Sequence, residues 1–161
     1  MIAEKGFAHE RIGVWGGSLG AGTTLIAFGQ ETQIQAAFVD SPYSDLPVII
    51  TEELQRNGYP TFLQPAAIIA ARLATGDNLV AFSPQDAITN HADRPIFIVH
   101  GTGDERINVH HTRDLAALAE QSGANVTVWL PEGITHVMAE FALPDEYEQK
   151  LVAFFTEALG E

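Results

Sequence analysis

The chain has 161 residues, 46% of them apolar, and a formal net charge of −13 at pH 7. That length and apolar share predict one domain over residues 1–161, while the acidic balance disfavours nucleic acid and anionic membranes as partners. The absence of cysteine excludes disulfides and thiolate chemistry, and the absence of any run of about 18 apolar residues predicts no membrane span.

Met1–Ala8 reads as the tail of a helix, and Glu4, Lys5, His9 and Glu10 leave no apolar signal segment, so a cytoplasmic location is expected. Ile12–Trp15 is a short apolar strand. It runs into Gly16-Gly17-Ser18-Leu19-Gly20, a G-x-S-x-G turn, and then into an apolar helix over Leu19–Gly29. Strand, tight turn and helix together are the context in which this pentapeptide presents a serine hydroxyl at a helix N-terminus. The turn is so sharp that the glycines two positions either side of Ser18 are expected to be needed for close approach. Leu19 would offer its free backbone N–H to an anionic intermediate.

Ala36–Val39 is the second strand, with Asp40 at its end and Tyr43 just beyond. Residues 46–93 are the hardest stretch. Val48–Arg56 and Phe62–Leu73 have helical character around Asn57-Gly58-Tyr59-Pro60. Ile49, Ile50, Leu54, Phe62, Leu63, Ile68 and Ile69 could be ordinary core, the favoured reading, or could line a substrate channel. Ile96–His100 is a third buried strand, and Gly101-Thr102-Gly103-Asp104 follows it. A helix over His110–Gln121 shows Leu115, Leu118 and Ala119 on one face and stops before Gly123. Adjacent His110 and His111 should project about 100° apart, so they are not expected to share a metal, and neither a metal nor a cofactor is anticipated. His100 fits a packing or hydrogen-bonding role. Val126–Leu130 is the fourth strand, and Pro131–Thr135 leads to His136. The last helix starts at Pro144 and aligns Tyr147, Leu151, Phe154, Phe155 and Ala158. Strands alternating with helices predict an α/β fold with a parallel sheet of four strands.

Ser18, Asp104 and His136 each follow a strand, in the order serine, acid, histidine. The segments "ERIGVWGGSLGAG", "FVDSPYSDL", "SPQDAI", "RPIFIVHGTGDERI" and "THVMAEFALPDEYEQKLVAFF" resemble the C-terminal half of an α/β-hydrolase of the esterase and prolyl-oligopeptidase-like branch. The resemblance implies a serine hydrolase acting on carboxylic esters or peptides. Ser18 would be the nucleophile, His136 the base and Asp104 the orienting acid, with Asp40 the rival for the last role. It also implies a cap-like insertion within residues 46–93.

In that family four strands precede the serine-bearing one, together with a loop that gives a second oxyanion N–H. The resemblance therefore implies a half-fold in which a normally central strand, Arg11–Trp15, lies at an edge without proline, lysine or inward charge to protect it. Weak or absent activity of the isolated chain is expected, with homodimerisation through Ile12–Trp15. The alternatives are a catalytically silent half-domain that dimerises and one subunit of a split hydrolase.

Overall fold

A computed structural model describes residues 11–90 and 93–160; the helix tail expected at Met1–Ala8 lies outside the described residues. The chain alternates strands with helices. It runs β1 (Gly13–Gly17), α1 (Leu19–Gln30), β2 (Ala36–Asp40), α2 (Leu46–Arg56), a 3-10 turn (Thr61–Leu63) and α3 (Gln64–Thr75). Then come α4 (Pro84–Asn90), β3 (Ile96–Val99), α5 (His110–Ser122), β4 (Val126–Trp129), α6 (Ala139–Ala142) and α7 (Pro144–Leu159).

The four strands form one parallel sheet in the order β1-β2-β3-β4. Register matters more than order here. Gly17 pairs with Asp40, Asp40 with Val99, and Val99 with Trp129. All four strands thus end level, and the segments carrying Ser18, Ser41, His100 and the His136 loop leave the sheet along one rim. Ligands of open α/β sheets bind outside this carboxyl rim.

The apolar runs are continuous because both faces of the central strands are covered. Side chains alternate along β2, sending Ala37 and Val39 to one face and Phe38 to the other. The first face packs Leu25 and Phe28 of α1, Ile88 of α4 and Leu115 of α5 against Ile96 and Ile98. On the second, Phe38 stacks on Phe97 at 4.8 Å, and Tyr147, Phe154 and Phe155 of α7 close around them. Each fully buried side chain of this size contributes roughly 1.5–3 kcal/mol.

Local chemistry sets the helix ends. The Asp45 side chain accepts from the Val48 N–H at 3.2 Å to start α2. Ser83 and Asp86 cap each other's backbone at α4. Gly76 and Gly123 take the left-handed conformation that ends α3 and α5.

The favoured core reading of the 46–93 stretch fails for most of its residues. Ile49 is buried, but α3 buries no residue, and Phe62, Leu63 and Ile69 are exposed. α2 and α3 pack on each other, and Ile49 of α2 reaches Tyr43 and Ile107 in the loops after β2 and β3, whereas α4, later in the stretch, is built into the main core through Ala87 and Ile88. Among the described residues, no helix is long and apolar enough to cross a membrane.

Candidate active site

Ser18 sits between β1 and α1 with φ 58° and ψ −126°, a region that non-glycine residues rarely occupy. Such a backbone costs about 1–3 kcal/mol and persists only where its surroundings dictate it. They do so here through the Ser18 N–H, which donates to the Asp40 carbonyl at 2.8 Å. Gly16 is required by close approach, since a Cβ there would drive into Thr24 and the Gly20 carbonyl. Gly20 is different: nothing lies within 4 Å of where its Cβ would be. The expectation that both glycines serve close approach is thus corrected for Gly20, because α1 turns its first residues outward. Leu19 is the first residue of α1, so its N–H has no acceptor within the helix.

Two loops bring the other groups to Ser18. The Thr102 N–H donates to the Pro131 carbonyl at 3.0 Å, and the Gly103 N–H to the Ile134 carbonyl at 3.0 Å. The Gly133 N–H donates in turn to Thr102 Oγ1 at 2.8 Å. This zipper explains Gly101, where a Cβ would collide with the Ile134 carbonyl. Val137, directly after His136, has φ 54° and packs its side chain on Gly17. His136 is thereby turned into the rim. Its Nε2 lies 2.7 Å from Ser18 Oγ and its Nδ1 2.7 Å from Asp104 Oδ2.

Asp104 is heavily supported. Its Oδ1 accepts from the N–H groups of Arg106 and Ile107 at 2.8 and 2.9 Å. Its Oδ2 faces His136 and, at 3.3 Å, His100 Nε2. Burial by itself would raise this carboxyl. Hydrogen bonds from His100, His136 and the two backbone N–H groups outweigh it and hold Asp104 well below the usual carboxylate range. His100 is fully buried, with Nε2 shared by the Ile107 carbonyl at 2.8 Å and Nδ1 2.7 Å from Thr112 Oγ1. Sequence reasoning gives His100 a packing or hydrogen-bonding role but misses its contact with the acid; its place one residue past a strand, four before Asp104, is the signal.

Asp40 lies on the same rim but does not contact His136. Ser41 Oγ donates to its Oδ1 at 2.9 Å, and its Oδ2 is buried without a partner. Burial pushes this carboxyl up to about 6 against the lowering effects of Ser41, His100 and His136. Tyr43 is buried with its ring over Gly22. Beside Ser18 opens a cleft of about 220 Å³, walled by Leu19, Tyr43, Leu46, Ile49, Ile50 and Ile107, with Glu53 and Arg106 at its margin. His110 and His111 do not diverge as expected: their rings stack at 4.3 Å and both face Glu52.

No curated protein matches the sequence. Among solved structures, the chain superimposes on a Mycobacterium tuberculosis puromycin-hydrolyzing peptidase with TM-score 0.77 and 20% identity, covering 99% of this chain and 24% of that one. A Pyrococcus furiosus esterase matches with TM-score 0.70 and 20% identity, over 94% of this chain and 55% of the esterase. A Pyrococcus horikoshii acylaminoacyl peptidase matches with TM-score 0.70 and 19% identity, over 96% and 25%. The chain thus spans about half the length of the esterase and a quarter of each peptidase. At these identities the likeness establishes an α/β-hydrolase fold; the sequence itself matches the prolyl oligopeptidase family along residues 1–161, and the chain belongs to that family.

Proposed function

We propose that this chain carries the Ser-His-Asp machinery of a serine hydrolase that cleaves carboxylic esters or peptides. One observation carries the reading: the unbroken relay from Ser18 Oγ through His136 to Asp104, with both links at 2.7 Å. His136 holds its proton on Nδ1, donated to Asp104, which leaves Nε2 free to accept the Ser18 proton. Ser18 Oγ then attacks the acyl carbon, and the carbonyl electron pair moves onto oxygen as an oxyanion facing the Leu19 N–H. Collapse expels the alcohol or amine, which takes its proton from His136 Nε2. Water, deprotonated by the same nitrogen, attacks the acyl-serine and releases the acid. The cleft wall of Leu46, Ile49, Ile50 and Ile107 suits an apolar acyl chain or side chain next to the scissile bond.

The test is covalent labelling of the full chain by a fluorophosphonate probe. Labelling of Ser18, lost in Ser18→Ala and slowed at least about 100-fold in His136→Ala, is the expected outcome. A probe that labels both variants like the parent overturns the reading. In this proposal α2 and α3, within residues 46–93, act as a cap over the cleft. A further strand added to β1, supplied by a second copy of the chain, completes the sheet. In this reading the Leu19 N–H is an oxyanion donor, and loss of one such donor slows turnover about 100- to 1,000-fold, so turnover of a nitrophenyl ester by the isolated monomer measures how fully the oxyanion site is furnished.

A further inference from the structure

Away from the serine, two helices bring three metal-ligating side chains to one point. Glu52 projects from the middle of α2, and His110 and His111 open α5. His110 Nε2 lies 2.6 Å from Glu52 Oε1 and His111 Nε2 lies 3.1 Å from Glu52 Oε2. One ligand atom from each residue can be chosen so that all lie within 4.8 Å of one another. We infer that Glu52, His110 and His111 form a binding site for a borderline divalent transition metal, zinc being the representative ion, which joins α2 to α5. Such a site stands independently of the hydrolase reading.

The donor set and its spacing both fit. Two imidazoles and one carboxylate suit zinc, copper or nickel better than magnesium or calcium, which prefer oxygen alone. With bonds of about 2.0–2.2 Å in a tetrahedral arrangement, neighbouring ligand atoms sit about 3.3 Å apart. The two observed contacts, 2.6 and 3.1 Å, are shorter than that value, so the side chains have to rotate apart to open room for an ion. A fourth position stays free for water.

The surroundings supply what such a site needs beyond its ligands. His110 Nδ1 is 3.1 Å from Asp114 Oδ2, the carboxylate contact that fixes a metal-binding imidazole with Nε2 outward. The His111 ring is completely buried, and its Nδ1 accepts from the Ser44 N–H at 3.2 Å and lies 2.8 Å from Ser44 Oγ. These contacts fix the ring with Nε2 toward Glu52, where an ion would have to displace the Nε2 proton. A hydrogen-bond bridge between α2 and α5 requires a single histidine; here two stacked rings converge on one carboxylate.

The site's position gives the ion a consequence. Glu52 shares α2 with Ile49, Ile50 and Glu53, which line the cleft beside Ser18. An ion at Glu52 would fix the register of that wall against the body of the fold.

The experiment uses the full untagged chain, stripped with chelator and titrated calorimetrically with zinc, and separately with cobalt as a spectroscopic probe. The expected result is one zinc per chain, cobalt absorption bands of four-coordinate character, and a melting temperature raised by about 5 °C with excess zinc but not with magnesium. His110→Ala and Glu52→Gln, both at partly exposed positions that leave buried His111 in place, should each weaken zinc at least about tenfold. Asp114→Asn should weaken it about tenfold through the orienting contact. Absence of saturable zinc binding at micromolar concentration overturns the inference. So does binding that survives unchanged in folded His110→Ala and Glu52→Gln, because the ion would then sit elsewhere.

Discussion

Asp40 and Asp104 end neighbouring strands, both buried, yet they meet opposite electrostatic fates. Asp104 has two backbone N–H groups and two imidazoles to hold its charge. Asp40 has one hydroxyl, and an Oδ2 with nothing to accept from. A carboxyl raised to about 6 in the fold, against 3.8 in the open chain, stays protonated while the unfolded chain ionises. Its share of stability is intact below about pH 4, falls between about pH 4 and 6, and stays lost above. Asp40→Asn keeps the acceptor for Ser41 and abolishes that titration. The variant should be more stable than the parent by roughly 1–3 kcal/mol at pH 7, with the gap closing below about pH 4. Urea melts across that range decide it, and an Asp40→Asn that is less stable at pH 7 would mean that the charge is compensated. Asp104 runs the other way. Its depressed carboxyl supports the fold above the ordinary carboxylate range, and that support disappears as pH falls through its lowered folded value. Asp104→Asn should cost stability at neutral pH and flatten the onset of acid unfolding. In the hydrolase reading it should also slow labelling of Ser18, whereas Asp40→Asn should not.

At the scale of elements, the two glycines of the serine turn separate packing from propensity. Gly20 stands in the first turn of α1 with open space beside it, so Gly20→Ala should stabilise the chain by up to about 1 kcal/mol. Gly16→Ala has to displace the Gly20 carbonyl and Thr24, and should cost several times more and disturb the Ser18 turn. Thermal melts of the pair check both signs. Arg94 offers a further test, since its guanidinium donates to the carbonyls of Phe28 and Glu31 at 2.8 and 3.0 Å and lies 4.0 Å over the Phe28 ring. Arg94→Met should lose about 1 kcal/mol, because the partly buried Phe28 carbonyl and the exposed Glu31 carbonyl at the end of α1 lose their charged donor.

What is legible in the sequence follows from the same physics. β2 and β3 are readable because both faces are buried, and α7 because its aromatic stripe has helical period. β1 extends two residues beyond the predicted Trp15, through Gly16 and Gly17, which read as turn because glycine gives no strand signal. α4 escapes a reading by period although Ser83 and Asp86 form a capping pair, since its seven residues span too few turns. α6, at four residues, leaves still less. The meeting of Glu52 with His110 is invisible in the sequence because nothing local records a contact 58 residues apart.

The whole molecule is a sheet with buried centre and unequal edges. β2 and β3 are buried throughout, whereas Trp15 on β1 is 49% exposed and Leu19 beyond it 66% exposed. Among the described residues β1 is paired on one side only, so its other row of N–H and C=O groups is open to a further strand. Two copies related by a two-fold axis could pair their β1 strands antiparallel, and that closed arrangement leaves no end for further addition. Charge sets the conditions. Each chain carries −13, so two copies repel, and screening shortens the range of that repulsion from about 30 Å at 0.01 M salt to about 3 Å at 1 M. The dimer is therefore expected to tighten as salt rises, opposite to an interface held by surface ion pairs. The backbone groups of Ile12 and Ser18 face β2, so by alternation Val14 and Gly16 do too, and the open row is that of Gly13, Trp15 and Gly17. Trp15→Pro removes a backbone donor from that row and should weaken the dimer. Circular dichroism separates this from loss of the fold, and Trp15→Val, which loses the same indole contacts but keeps the N–H, serves as control. Sedimentation at micromolar concentration distinguishes the outcomes: a salt-strengthened dimer kept in Trp15→Val and lost in folded Trp15→Pro supports pairing through β1, and a monomer at every ionic strength removes it.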